Sequence, residues 1–115
     1  MIEAKFQLDK DKKKITFKLK GHAGAGSIGK DLVCAAASML AYTLAQSIKD
    51  ESEMYGYETP TIKLNSGDAK IECQCDTENK YITALHTFSV IQNGYMLLEH
   101  QYPRLVKLTQ FAKSE

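Results

Sequence analysis

An α+β fold is what this sequence predicts: a single mixed or antiparallel sheet with two helices, in the order ββαββαβ. Three observations predict it. Residues 2–8 and 15–19 alternate apolar and polar in steps of two, as half-buried strands do. Apolar residues recur at helical spacing from about 32 to 49 and again from about 77 to 98. Short strand patterns lie between the two helices and after the second. At 115 residues the chain is large enough for one modest core, and no repeat or linker divides it, so residues 1–115 read as one domain.

Taken in order, Ile2, Ala4, Phe6 and Leu8 face one way while Glu3, Lys5 and Gln7 face the other. The charged run Asp9–Lys13 turns the chain, and Ile15, Phe17 and Leu19 alternate with Thr16, Lys18 and Lys20, completing an antiparallel hairpin. Asp31 can cap the first helix, with Leu32, Val33 and Cys34 as its first turn and an end near Lys49. Its stripe is Val33, Ala37, Leu40, Leu44 and Ile48. Residues 51–60 read as a loop. Thr61–Leu64 and Ala69–Cys75 are strands joined at Asn65-Ser66-Gly67-Asp68, a strong turn signal. Asp76 or Thr77 caps a second helix whose stripe is Tyr81, Ala84, Leu85, Phe88, Ile91, Tyr95 and Leu98. Gly94 is a weak point inside it, and Pro103 stops it. Leu105–Leu108 is a last strand.

The stretch Gly21–Ser38, GHAGAGSIGKDLVCAAAS, carries the chemistry. From Gly21 to Lys30 only Ile28 has apolar bulk, so this segment is a loop that builds no core. Cys34 then falls at the start of a helix, where the dipole favours a thiolate over a thiol. At about 100° per residue it lies roughly 80° from the centre of the buried stripe. Ser38, Ala41 and Ala45 share its side, so it sits on the flank with small groups beneath it. His22 is on the preceding loop and can fold back over the helix end. A thiolate at a helix N-terminus with an imidazole beside it is the minimal equipment of a cysteine nucleophile. Asp31 could orient His22, although capping suits it better. Ser38, one turn beyond Cys34, either hydrogen-bonds in the site or merely packs.

Composition narrows the field. Hydrophobic residues are 43% and charged residues 25%, an ordinary globular balance, and a net charge of +1 gives no general pull towards nucleic acid or anionic membrane. No apolar run approaches the roughly 20 residues of a membrane helix, and the N-terminus lacks the apolar core of a secretory signal. Three cysteines, an odd number, point to free thiols in a reducing cytoplasm.

Two motifs compete with the thiol reading. Gly24–Gly29 spells G-x-G-x-x-G, and Gly24–Lys30 spells G-x-x-x-x-G-K. The first follows a strand that alternates with lysines, unlike a buried parallel strand, in a chain too short for two dinucleotide-binding halves. The second has Asp31 where a magnesium-binding hydroxyl belongs. Cys73 and Cys75 make half a metal site with no second pair; their alternation with acids makes them core-facing, so no metal is expected. His86 and His100 have no evident partner. Tyr55 and Tyr57 could line a peptide groove or be plain exposed tyrosines.

Gly21-His22-Ala23, Gly29, Asp31, Val33-Cys34-Ala35-Ala36 and Ser38 together resemble the ribosomal-processing cysteine protease family, Prp, whose pattern is G-H-A…G-x-D-[IL]-V-C-A-A-x-S. Gly94 followed by Tyr102-Pro103 adds a weaker likeness near the C-terminus. The resemblance implies a cysteine endopeptidase that removes an N-terminal extension from a large-subunit ribosomal protein, number twenty-seven, before ribosome assembly. It implies His22 and Cys34 as the catalytic pair, with Gly21, Ala23, Gly29, Asp31 and Ser38 supporting or substrate-binding. It also implies a homodimer without metal or other cofactor. Met39, Tyr42, Ile82, Val90 and Leu97 are candidates for the dimer surface. The remaining alternatives are a non-catalytic ribosome- or protein-binding module and, least favoured, a nucleotide-binding domain.

Overall fold

A computed structural model describes residues 1–24 and 30–112. Its elements follow the expected order: β1 (Ile2–Asp9), β2 (Lys14–Lys20), α1 (Lys30–Tyr55), β3 (Thr61–Asn65), β4 (Asp68–Gln74), α2 (Glu78–Gln101) and β5 (Val106–Thr109). The five strands form one mixed sheet in the order β3-β4-β2-β1-β5. All neighbours are antiparallel except β1 and β5.

The register explains the alternation in the sequence. Phe6 stands opposite Phe17, and Phe17 opposite Ile71, so each apolar set lands on one face. That face carries α1 and α2, while Lys5, Lys18, Lys70 and Glu72 occupy the other. Phe6, Phe17 and Tyr95 cluster with ring centroids 4.9–6.1 Å apart. The Tyr95 hydroxyl donates to the Ala37 carbonyl at 2.6 Å, joining the two helices. Phe17 is fully buried at the centre of this cluster. Phe17→Ala is expected to lower unfolding free energy by about 3–5 kcal/mol, checked by chemical denaturation.

The stripe assigned to α2 is buried, with Leu85 at its margin. Thr77 is the cap, its hydroxyl accepting from the Lys80 amide at 3.2 Å. Gly94 does not break the helix. A Cβ there would lie 2.6 Å from Leu40 Cδ2, so the glycine allows α1 to approach closely. Glu99 and Gln92 accept amides from Leu108 and Phe111, fastening the last strand and its continuation to α2.

The first helix departs from its expected bounds at both ends. It begins at Lys30, so Asp31 is inside the first turn rather than its cap. The residue before it, Gly29, lies outside the described residues. At the other end α1 runs six residues past Lys49 to Tyr55. Glu51 explains the extension: its carboxylate accepts from the hydroxyls of Tyr57 (2.9 Å) and Thr87 (2.6 Å), tying polar turns to α2. Gly56 ends the helix, at φ +78° with its amide donating to Ser52. By length and composition α1 is long and apolar enough to cross a membrane, a test that a core helix also passes, although it holds no uninterrupted apolar run of that length. Here Val33, Ala37, Ala41, Leu44, Ala45 and Ile48 bury its inner stripe in the core.

Candidate active site

A pocket of about 190 Å³ lies between the first half of α1, the end of β2 and the β3–β4 turn. From α1 it is lined by Cys34, Ser38 and Tyr42, successive turns of one face. From the loop after β2 it receives Gly21 and His22, and from the turn it receives Leu64 to Ala69. The two residues singled out for nucleophilic chemistry therefore open onto one cavity, although twelve positions separate them.

Cys34 is half-buried. As the fifth residue of α1 it sits just beyond the first-turn amides that lack helical partners. Of the small residues expected on its side, Ser38 and Ala41 line the pocket and Ala45 does not; Ala37, from the buried stripe, lines it as well. The Ala23 amide donates to Cys34 Sγ at 3.4 Å. This contact fixes the sulfur against the backbone next to His22.

The His22 segment is held at three points. Met1 N donates to the His22 carbonyl at 2.7 Å, and the Gly21 amide donates to the Gly67 carbonyl at 3.0 Å. Ala23 is buried and contacts the sulfur as above. Gly21 is at φ +93°, and a Cβ on it would lie 2.2 Å from the Met1 carbonyl oxygen. Only glycine fits this backbone and this approach. The imidazole itself lies over Gly67, where a Cβ would come within 2.3 Å of Nε2. Gly67 is at φ +70°, which lets Ser66-Gly67 make the hairpin turn. Asp68 braces that turn through Lys20 and Lys63, whose hydrogen bonds pull its carboxyl down to about 2.

The other sequence candidates distribute as follows. Ser38 lines the pocket; Asp31 is exposed and does not. Gly29 and the rest of residues 25–29, where both phosphate-type motifs fall and where loop closure was expected, lie outside the described residues. Tyr57 is buried at the far end of α1 on Glu51, and Tyr55 stacks near it, so neither lines the cavity. Tyr42, a candidate for a dimer surface, is exposed and also lines the cavity. His86 and His100 are exposed on α2. Cys73 and Cys75 are buried with sulfurs 3.9 Å apart, and burial pushes both thiols up. Among the described residues no group of three or more His, Cys, Asp or Glu is gathered to hold a metal. The sequence reading missed the β3–β4 turn as part of the site. Its signal, a glycine in a tight turn, says nothing about which side chain will rest on it.

Residues 1–107 match the family profile described as cysteine protease Prp. No curated protein matches the chain. Among solved structures, the essential ribosomal processing protease Prp from S. aureus with a covalently linked product peptide superposes with a TM-score of 0.71 at 23% identity. The alignment covers 97% of this chain and 100% of that one. The same protease with a substrate peptide gives 0.70 at 19% identity, again over 97% and 100%. SMU.848 from Streptococcus mutans gives 0.67 at 22% identity, over 97% and 96%.

Proposed function

The chain belongs to the cysteine protease Prp family and is a cysteine protease, and on that premise we propose that Cys34 is its nucleophile and His22 its acid–base partner. The substrate is the precursor of a large-subunit ribosomal protein, number twenty-seven, from which an N-terminal extension is cut. One observation carries the assignment of the pair: Cys34 is the only described thiol that is not fully buried, and it opens onto the cavity that His22 lines. The ribosomal substrate is supported by the resemblance and by relatives whose structures hold substrate and product peptides.

The chemistry follows from the residues. The Cys34 thiolate attacks the scissile carbonyl carbon, a C–S bond forms, and the carbonyl electron pair moves to oxygen. The Ala23 amide, aimed at the sulfur, stands beside the new bond, and the free amides of the first turn of α1 add positive potential for the oxyanion. Collapse breaks the C–N bond, and the His22 imidazolium gives its proton to the departing amine. Water then attacks the thioester while His22 takes its proton. The acid leaves and the thiolate is restored. Gly21 and Ala23 shape the loop that carries His22, Gly29 is a supporting residue by the resemblance alone, Asp31 adds its charge to the helix start, and Ser38 borders the bound peptide.

We assign the enzyme to the cytoplasm, in keeping with three free thiols, and to a homodimer. Met39 and Leu97, exposed on the outer side of the helix pair, line an apolar depression of about 340 Å³ suited to a second copy. Incubation with the unprocessed ribosomal protein should release one N-terminal fragment, read by intact mass. Iodoacetamide at neutral pH should label Cys34 at least about tenfold faster than Cys73 or Cys75, since the thiolate is the reacting form and burial disfavours it. Uncut precursor together with equal, slow labelling of all three thiols would favour a binding module instead.

A further inference from the structure

β3 is the outer strand of the sheet on the side of the cavity, and all five of its residues are exposed. Its ladder to β4 ends at the pair Asn65 and Asp68, which flank a two-residue turn. Such a flanking pair is hydrogen-bonded, and bonded pairs alternate along the ladder. Thr61, Lys63 and Asn65 therefore spend their backbone groups on β4. The N–H and C=O groups of Ile62 and Leu64 point outwards, unpaired by any strand among the described residues.

The side chains of the same two residues face the helices. Ile62 is in register with Ile71 and Leu64 with Ala69, both buried beneath the helix layer. Yet Ile62 and Leu64 remain 37% and 40% exposed, because the helices do not reach this far across the sheet. A trough results. Leu64 faces Tyr42 of α1 in the cavity that contains Cys34, and Ile62 lines a second depression with Lys49, two turns further along the same helix face. A free edge with apolar side chains is a template for another extended chain. This one leads directly to the candidate nucleophile.

We propose that the polypeptide substrate binds in extended form as a sixth strand on β3, with alternate apolar side chains in the trough between β3 and α1. The five residues of β3 span about 17 Å at the usual strand rise, enough to hold about five substrate residues. Main-chain pairing would supply affinity, and the Leu64–Tyr42 and Ile62–Lys49 positions would select apolar side chains at every second residue. This deepens the peptidase reading and rests on it.

Amide hydrogen exchange tests the binding mode apart from catalysis. The Cys34→Ala protein is mixed with a synthetic peptide spanning the N-terminal cut of the ribosomal precursor. Exchange at Ile62 and Leu64 should slow about tenfold or more, and a peptide whose apolar residues are replaced by serine should have no effect. Unchanged exchange at both amides with the first peptide bound elsewhere, or not bound at all, overturns the proposal. In the active protein, Ile62→Pro removes one outward N–H and leaves the β4 ladder intact, and Ile62→Lys places a charge in the trough. Each should raise KM for the precursor about five- to tenfold, with the alkylation rate of Cys34 unchanged. Wild-type KM in both variants would also overturn it. Failure of the wild-type protein to cut the precursor at all would count against the peptidase reading, whereas the exchange result bears on the strand edge alone.

Discussion

Cys34→Ala is expected to abolish cleavage of the ribosomal precursor, lowering kcat/KM by on the order of 10⁴-fold or more. Among the described residues Cys34 is the only thiol that lines the cavity. Ser38 lines the same wall, but it stands one helical turn from Cys34, the residue whose side chain the Ala23 amide meets. The fold should survive. Cys34 is half-buried and accepts one long contact, so the melting midpoint should move by about 5 °C or less. His22→Ala should cost a comparable factor, because a nucleophile and its proton partner act as a unit. For the same reason the double variant should be no worse than either single one. Rates come from the mass of the released fragment, and circular dichroism confirms folding. A Cys34→Ala protein that still cuts would remove the nucleophile assignment outright.

Gly67→Ala is expected to lower kcat on the order of 10²-fold, the cost of a misplaced catalytic group. The argument is spatial. The new Cβ would need the space now held by His22 Nε2, 2.3 Å away, so the imidazole must swing off the turn. The substitution also strains a backbone at φ +70°, and that cost needs separating. Gly56→Ala is the matched comparison. Gly56 has nearly the same backbone angle, φ +78°, but a Cβ there meets only the flexible end of Lys80, at 3.6 Å. Both alanine variants should lose similar stability in denaturant, while only Gly67→Ala should lose kcat. Equal activity losses in the two would mean that Gly67 acts through the fold and not through His22.

These tests depend on different kinds of information. Strand alternation at Ile2–Leu8 and Ile15–Leu19 was enough to read the first hairpin, because period two admits one register with a buried face. The α2 stripe was legible for the same reason at period 3.6. The ends of α1 were not. The polar residues after Lys49 carry ordinary local preferences, and what overrode them lay outside the helix: the hydroxyls of Tyr57 and Thr87 on Glu51. Gly94 was misleading because a glycine in a helix looks like a break until its neighbour, Leu40, is known.

Within the cavity the division is similar. Cys34 and His22 stood out from residue type, spacing and the family motif, since chemistry of this kind needs few atoms and those atoms are in side chains one can read. Their surroundings depended on chain segments far apart in sequence. That Gly67 supports the imidazole, that the Ala23 amide meets the sulfur, and that β3 has a free edge beside both follow from the strand order β3-β4-β2-β1-β5. Local pattern determines which face of each element is apolar, because burial repeats with the period of the backbone. Which elements become neighbours is decided only when all those faces are buried at once, and that is a property of the assembled sheet and helices.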